Sequence, residues 1–431
     1  MVFEAVGLSR RCPSYFIAMF AKTAELEKAF NALLPVRRLT ASPPKELLEA
    51  ARAWSEEVWQ AASLSGPWPL SPQQLNQGLD LVQHPVFICG VHRSGTTLVR
   101  DLLDAHPALA VLPSEGSFRT NLAAPLNRMT YEQGESFLAT EWLRRLANPI
   151  NQPPYWLLGH RSGAASGYLT FARAFRSWYG IMAKSCKPGT TLWPHLAVVL
   201  AYATCYEASG AGLAARFWVD KTPTNERYLQ QLWREMPQAR IIHVVRAPVD
   251  VFLSRKRMEP ALNLKTCLQD LQRSYRLAAK QARLHPDRYL VLHYEELCAK
   301  PPAAIARLAA FLDIELLPCL FRPTVAGKPA QVNSSFTADL PAGGILDSQV
   351  YLHDGSGLQK QEGKLLSAYL FRPAARLGYT LQPIGKIPGS LAALKLQVQS
   401  CMWAVLALGK RVKALVSTAR IKAFVMKIWS G

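Results

Sequence analysis

The stretch Gly90-Val91-His92-Arg93-Ser94-Gly95-Thr96-Thr97 sets two glycines, a guanidinium and three hydroxyls between an apolar run and a helical one. Backbone N–H groups and a helix N-terminus then point at one spot, which makes an anion cradle. Its spacing copies the triphosphate loop G-x-x-x-x-G-K-[ST], except that Thr96 occupies the lysine position. The cation that grips the β and γ phosphates is therefore missing, which argues against a kinase or ATPase. What remains suits a 5′ phosphate carrying one further group, with Arg93 making charge-assisted contacts to it. A second grip is offered by Arg246, at the end of the run Arg240 to Val245, and Ser254, eight residues further on in a helix that Ala247-Pro248-Val249-Asp250 opens. A guanidinium at a strand end and a hydroxyl two turns into the next helix can together hold an additional phosphate.

These residues need strands to carry them. Pro85 to Val91, Arg240 to Arg246 and Arg288 to His293 are short apolar runs that read as buried strands, each beside helical periodicity. Strands alternating with helices predict an α/β fold built on a parallel sheet. Leu264 to Ala282 and Pro301 to Leu312 repeat apolar residues at helical spacing, and helices interrupted at Pro35 and Ser42-Pro43-Pro44 fill Thr23 to Ala62. Between the first two strands lies a mainly helical, aromatic-rich region with Tyr155, Trp156, Tyr168, Phe171, Phe175, Trp178, Tyr179 and Trp193. It reads either as the cover of a substrate cleft or as a helical layer on the sheet.

Arg93-Ser94-Gly95-Thr96-Thr97-Leu98, continued by Leu103-Asp104-Ala105-His106-Pro107, resembles the 5′-phosphosulfate loop of the sulfotransferases that use 3′-phosphoadenosine-5′-phosphosulfate (PAPS), nearest to the tyrosylprotein-type and bacterial-type branch. Arg246 and Ser254 resemble that family's 3′-phosphate site. Asp220-Lys221-Thr222-Pro223, Tyr294-Glu295-Glu296-Leu297, and Gly327-Lys328-Pro329 with Asn333-Ser334-Ser335-Phe336 look like family segments in family order. The resemblance spans roughly residues 82–336. His92 departs from it where proline is usual, and Ala247 where an aspartate often follows the arginine.

The resemblance implies a P-loop-like central parallel sheet flanked by helices and transfer of a sulfuryl group from PAPS to a hydroxyl or amine. The acceptor is a small molecule, lipid or glycan, or alternatively a protein tyrosine, and no metal is required. It assigns Arg93, Ser94, Gly95, Thr96, Thr97, Arg246 and Ser254 to the donor, Tyr294 to its adenine, and Ser334 and Ser335 to the phosphosulfate. Arg93 and Lys221 become the catalytic cations. Glu115, one residue further along than in the tyrosylprotein branch, becomes the base, with His160 and His195 as competitors. His106 and His243 read as structural.

Composition limits the alternatives. The chain has 431 residues, 49% of them hydrophobic, and 50 Lys and Arg against 30 Asp and Glu give a net charge of +20. Wholesale disorder is excluded, and anionic partners are favoured. After Glu362 there are eleven basic residues and no acidic one, interleaved with apolar residues from Leu391 to Trp429. This pattern predicts basic amphipathic helices that either dock on an anionic membrane surface or cap the domain, and it is unlike a nucleic-acid interface. The eight cysteines show no C-x-x-C spacing and no Cys/His cluster along the chain, so neither a zinc site nor a disulfide framework is suggested. With no signal-peptide pattern and no apolar run long enough to span a bilayer, a cytoplasmic protein, peripherally membrane-associated through its tail, is expected. The expected organisation is a helical extension over 1–80, a catalytic domain over 81–385 with the aromatic insertion at about 125–210, and a basic tail over 386–431. An inactive nucleotide-binding relative is the remaining alternative.

Overall fold

Strand formation follows from the apolar runs. The computed structural model describes residues 13–32, 44–147, 165–205, 212–259, 261–330 and 358–381. Its sheet contains β1 (Pro85–Cys89), β2 (Leu109–Glu115), β3 (Phe217–Lys221), β4 (Arg240–Val245) and β5 (Tyr289–His293), in the order β2-β3-β1-β4-β5. Every pairing is parallel. The α/β class with a central parallel sheet flanked by helices is thus as expected.

Alternation along the strands divides the core into two layers. Val86, Ile88, Val219, Ile242 and Val244 pack with Val99 and Leu102 of α4 (Thr96–Leu103) and with Ile305 and Leu308 of α10 (Pro301–Leu312). Phe87, Cys89, Trp218 and Ile241 face the other way, into a larger layer. That layer is built by α1 (Pro13–Ala32), α2 (Lys45–Ser65), α3 (Pro72–Leu81), α5 (Tyr131–Ala147), α6 (Ala165–Ser185) and α7 (Trp193–Cys205). Tyr168, Phe171, Phe175, Trp178 and Tyr179 are buried within it. These aromatics of the insertion are core packing, not the lining of a cleft.

Local chemistry fixes the helix starts. Ser71 and Gln74 form a capping box ahead of Pro72 in α3, Pro248 opens α8 (Pro248–Met258), and the Asn263 side chain caps α9 (Leu264–Leu284). α4 begins at Thr96, because Gly95 turns left-handed at φ 95° and delivers the chain into the helix.

β2 and β3 were not among the predicted strands. Pro113 interrupts the first, which is tolerable because β2 is an edge strand. The second is only five residues long and ends on Asp220-Lys221, so it has little apolar signal of its own.

Residues Met1–Ser356 form one compact unit and Gly357–Gly431 another. Of the second, the described part centres on α11 (Lys360–Ala375), opened by a capping box between Gln359 and Glu362. Ser334, Ser335, Tyr155, Trp156, His160 and the basic tail from residue 386 lie outside the described residues. No described helix is long and apolar enough to cross a membrane.

Gly90 has φ 143°, and a β-carbon there would press on the Val244 carbonyl oxygen. Gly90→Ala should therefore lower unfolding stability by about 1–3 kcal/mol, the range for a residue forced into such a conformation. Urea denaturation measures this, and an unchanged midpoint would show that the loop relaxes freely.

Candidate active site

A parallel sheet brings the carboxyl ends of its strands to one edge, where the strand order reverses and open α/β sheets bind ligands. Here Gly90 follows β1, Glu115 ends β2, Lys221 ends β3, Arg246 follows β4 and Tyr294 follows β5. Residues scattered over some two hundred positions of sequence thus share one rim.

The cradle is shaped by backbone conformation. Arg93 and Gly95 both have positive φ, 75° and 95°, which lets the loop curl around its own N–H groups. A β-carbon at Gly95 would collide with the Tyr294 ring, so that ring braces the loop from below. Thr96 and Thr97 are buried at the start of α4. The Ser94 hydroxyl is buried with no hydrogen-bond partner among the described residues, as expected of a group reserved for a ligand.

Arg93 reaches across the rim, donating from Nε to Ser254 Oγ at 3.0 Å. Arg246 donates from Nη1 to the Arg93 carbonyl at 3.4 Å and lies over the Tyr294 ring, 4.6 Å from its centroid. The Tyr275 hydroxyl donates to the Arg246 carbonyl, and Ala247 N donates to Glu295 Oε1 at 2.7 Å; together these fix the turn after β4. Burial, reinforced by the positive charge of Arg246, pushes the Arg93 guanidinium below its ordinary value. Cations gathered at such a cost create a place where an anion is stabilised. The sequence-predicted pairing of the loop with Arg246 and Ser254 is realised in the fold.

On the other side of the rim, Lys221 Nζ donates to Glu115 Oε1 at 2.7 Å. The lysine side chain is 1% exposed and the glutamate 36%, so the pair has one buried end and one open end. Between Val111 and Glu115 the register of β2 against β3 shifts, and this irregularity sets Glu115 opposite Lys221. Arg100 from α4 holds the shifted segment by donating to the Pro113 carbonyl at 2.7 Å, while Arg145 from α5 donates to the Glu115 carbonyl at 2.5 Å. Burial alone would raise the Glu115 carboxyl, but Lys221 outweighs it and holds the group below its ordinary value of 4.5. Lys221 is itself drawn down by its burial, with Glu115 opposing.

Behind the pair lies a support that sequence reasoning missed. Asp220 Oδ1 accepts from Gly116 N at 3.0 Å and from the Thr222 hydroxyl at 3.0 Å, and Thr222 Oγ1 accepts from Ser117 N at 2.9 Å. Asp220 thereby ties the end of β2 to the end of β3. Its contacts to Gly116 span 104 positions, so no local pattern could announce them, although its place just before Lys221 was visible.

His195 proves to be part of this support. It is fully buried, stacked 5.5 Å from Phe118, and its Nε2 lies 3.4 Å from Asp220 Oδ2. Enclosed in this way behind Asp220, it cannot meet an acceptor, which removes it as a competing base. The structural readings of His106 and His243 hold. His106 Nε2 donates to the Glu315 carbonyl at 3.0 Å and Nδ1 accepts from Ala108 N at 3.1 Å. His243 lies between the hydroxyls of Tyr289 and Ser274, at 2.6 and 2.8 Å. His92 is exposed on the loop. Gly327 N donates to Asp104 Oδ2 at 2.7 Å, which anchors the Gly327-Lys328-Pro329 segment to the end of α4.

The model of the sulfotransferase family matches residues 85–318. No curated protein matches the sequence significantly. Among solved structures, the sulfotransferase domain from the Synechococcus PCC 7002 olefin synthase is 20% identical over 73% of this chain and 94% of that one, with a TM-score of 0.34. The sulfotransferase domain from the curacin biosynthetic pathway is 20% identical over 69% and 98%, with a TM-score of 0.38. Sulfotransferase STF9 from Mycobacterium avium is 15% identical over 68% and 84%, with a TM-score of 0.32.

Because Glu115 sits below its usual range in the folded chain, it contributes stability that is present above pH 4.5 and is lost as pH falls through its lower folded value. In Lys221→Met the main opposition to burial is gone, so the carboxyl should titrate higher than in the unaltered chain. Side-chain carboxyl NMR of selectively labelled glutamate reads the midpoint directly. A Glu115 signal that does not move would show that the ion pair does not set its charge.

Proposed function

The chain belongs to the sulfotransferase family, and we propose that it transfers a sulfuryl group from PAPS to an acceptor hydroxyl or amine, releasing 3′-phosphoadenosine 5′-phosphate. The observation that carries this reading is the meeting of Arg93, Ser254 and Arg246 at the edge of the phosphate loop. A loop alone suits any phosphate, whereas a loop joined to a guanidinium and a hydroxyl from the next strand and helix suits a nucleotide with a further phosphate.

The donor chemistry fits the residues present. When bound, PAPS supplies an activated sulfuryl group, and the transfer needs positioning and charge stabilisation above all. In this reading the N–H groups of residues 90–97 and the orphaned Ser94 hydroxyl hold the 5′ phosphosulfate. Arg246 and Ser254 hold the 3′ phosphate, and Tyr294 borders the nucleoside. Arg93 stabilises the oxygens in transit, and Lys221 places a second positive charge on the acceptor side. Glu115, ionised at neutral pH because Lys221 holds its proton affinity down, accepts the acceptor's proton through its exposed end. The acceptor is proposed as a small molecule, lipid or glycan, and the basic tail as the part that meets an anionic membrane.

Thermal shift separates donor classes, because a ligand that binds only the folded state raises its apparent stability. The stabilisation expected with 3′-phosphoadenosine 5′-phosphate should exceed that with ADP, and Arg246→Ala should erase the difference. Stabilisation by ATP with magnesium alone would replace this reading with a kinase. Glu115→Gln should abolish turnover while leaving product-nucleotide affinity nearly unchanged, and Arg93→Ala or Lys221→Ala should slow turnover by about 10²–10³. Normal turnover in Glu115→Gln would assign the base elsewhere.

A further inference from the structure

Behind the cradle, on the face of the sheet away from α4, three potential metal ligands meet. Cys89 and His243 are register partners on the adjacent parallel strands β1 and β4, so their side chains leave the same face of the sheet. Glu226 comes from the short helical turn Asn225–Tyr228 after β3. That turn is fixed to β1 by Thr222 N donating to the Ile88 carbonyl and Thr224 N to the Gly90 carbonyl, both at 3.0 Å. The thiol sulfur, a carboxylate oxygen and an imidazole nitrogen all lie within 4.8 Å of one another.

Charge makes this arrangement unusual for a core. Cys89 and His243 are 0% exposed and Glu226 is 3% exposed, and Glu226 Oε2 is buried without a hydrogen-bond partner. A buried carboxylate oxygen with nothing to receive is a strong liability unless a cation or proton meets it. We propose that Cys89, Glu226 and His243 form a structural site for a thiophilic divalent cation, with zinc as the ion their chemistry fits best.

The ligand chemistry supports that choice. Thiolate plus imidazole selects zinc over magnesium or calcium, which take oxygen ligands. A doubly charged ion with one thiolate, one carboxylate and a neutral imidazole makes a neutral cluster, whose fourth tetrahedral position would fall to a water. Bond lengths of about 2.0–2.3 Å imply donor atoms roughly 3.3–3.8 Å apart in a tetrahedron, so closure from the observed spacing requires only small side-chain rotations. Tyr289 and Ser274 hydroxyls flank the two ring nitrogens of His243. One nitrogen turns to the metal, and the other keeps its hydroxyl partner, the usual orienting contact of a ligating histidine. Binding requires the Cys89 thiol to give up its proton to the incoming cation. Since Cys89 directly precedes Gly90, the ion would stiffen the strand end from which the cradle springs. Sequence spacing hid the site because its ligands come from three separate elements.

The test uses the full-length chain. Burial of the site requires loading during synthesis, so the protein is expressed in cobalt-supplemented minimal medium, purified and dialysed against chelator. A thiolate-to-cobalt charge-transfer absorption with about one retained cobalt per chain is expected. Cys89→Ala should remove that band. Glu226→Gln keeps the shape of the side chain and should lower retention by at least about 10-fold, which covers the case in which the cysteine variant does not fold. Absence of the band in the wild type, or its persistence in Cys89→Ala, overturns the proposal.

Discussion

The ion pair between Lys221 and Glu115 governs the geometry of the acceptor side of this rim. An ammonium as enclosed as that of Lys221 is tolerable only beside a compensating charge, and the nearest strand end must supply it. β2 therefore has to reach β3 at one particular residue. The register irregularity after Val111 accomplishes this, and Arg100, Arg145 and Asp220 each hold a different backbone group of the resulting turn. Much of the polar chemistry buried at this edge serves to keep one carboxylate in place with its other face open.

The opposite half of the rim follows a contrary rule. Around the phosphate loop the fold gathers Arg93 and Arg246, and the burial that attends this opposes the charge on Arg93. The two halves differ in what they lack. One is neutralised internally and so is suited to move a proton without binding an anion tightly. The other is rich in positive charge, with Asp250 Oδ2 3.9 Å from Arg246 Nε, and in the proposed reading it takes the anionic donor. The proposed transfer from an anionic donor to a neutral acceptor calls for this division, since uniform attraction on both sides would hold reactants and products alike.

The donor half was legible in the sequence because its elements are local. A strand, a glycine loop and a helix start are contiguous from Pro85 to Leu103, and Arg246 to Ser254 is a second contiguous unit; only their meeting required the fold. The acceptor half was legible as residue types, Glu115 and Lys221, but not as geometry. β2 and β3 carry it, and their apolar signal is broken by Pro113 and by Asp220-Lys221. Asp220, Arg100 and Arg145 act on backbone groups far away in sequence, a class of contact that periodicity does not record. His195 illustrates the reverse error. The resemblance made a histidine of the insertion a candidate base, yet the rings of Phe118, Trp142 and Trp218 enclose it.

That enclosure explains what the aromatic layer does. Trp142, Tyr168, Trp178 and Tyr202 are almost wholly buried, and large rings packed at interior density leave little freedom to whatever they surround. His195 transmits this rigidity to Asp220, and Asp220 transmits it to the Gly116 amide next to Glu115. The insertion thus stiffens the rim from behind, through the sheet edge, and its buried aromatics are not available to recognise an acceptor. On the open side of the rim, away from this stiffened support, the exposed His92 of the phosphate loop feels the Glu115 charge.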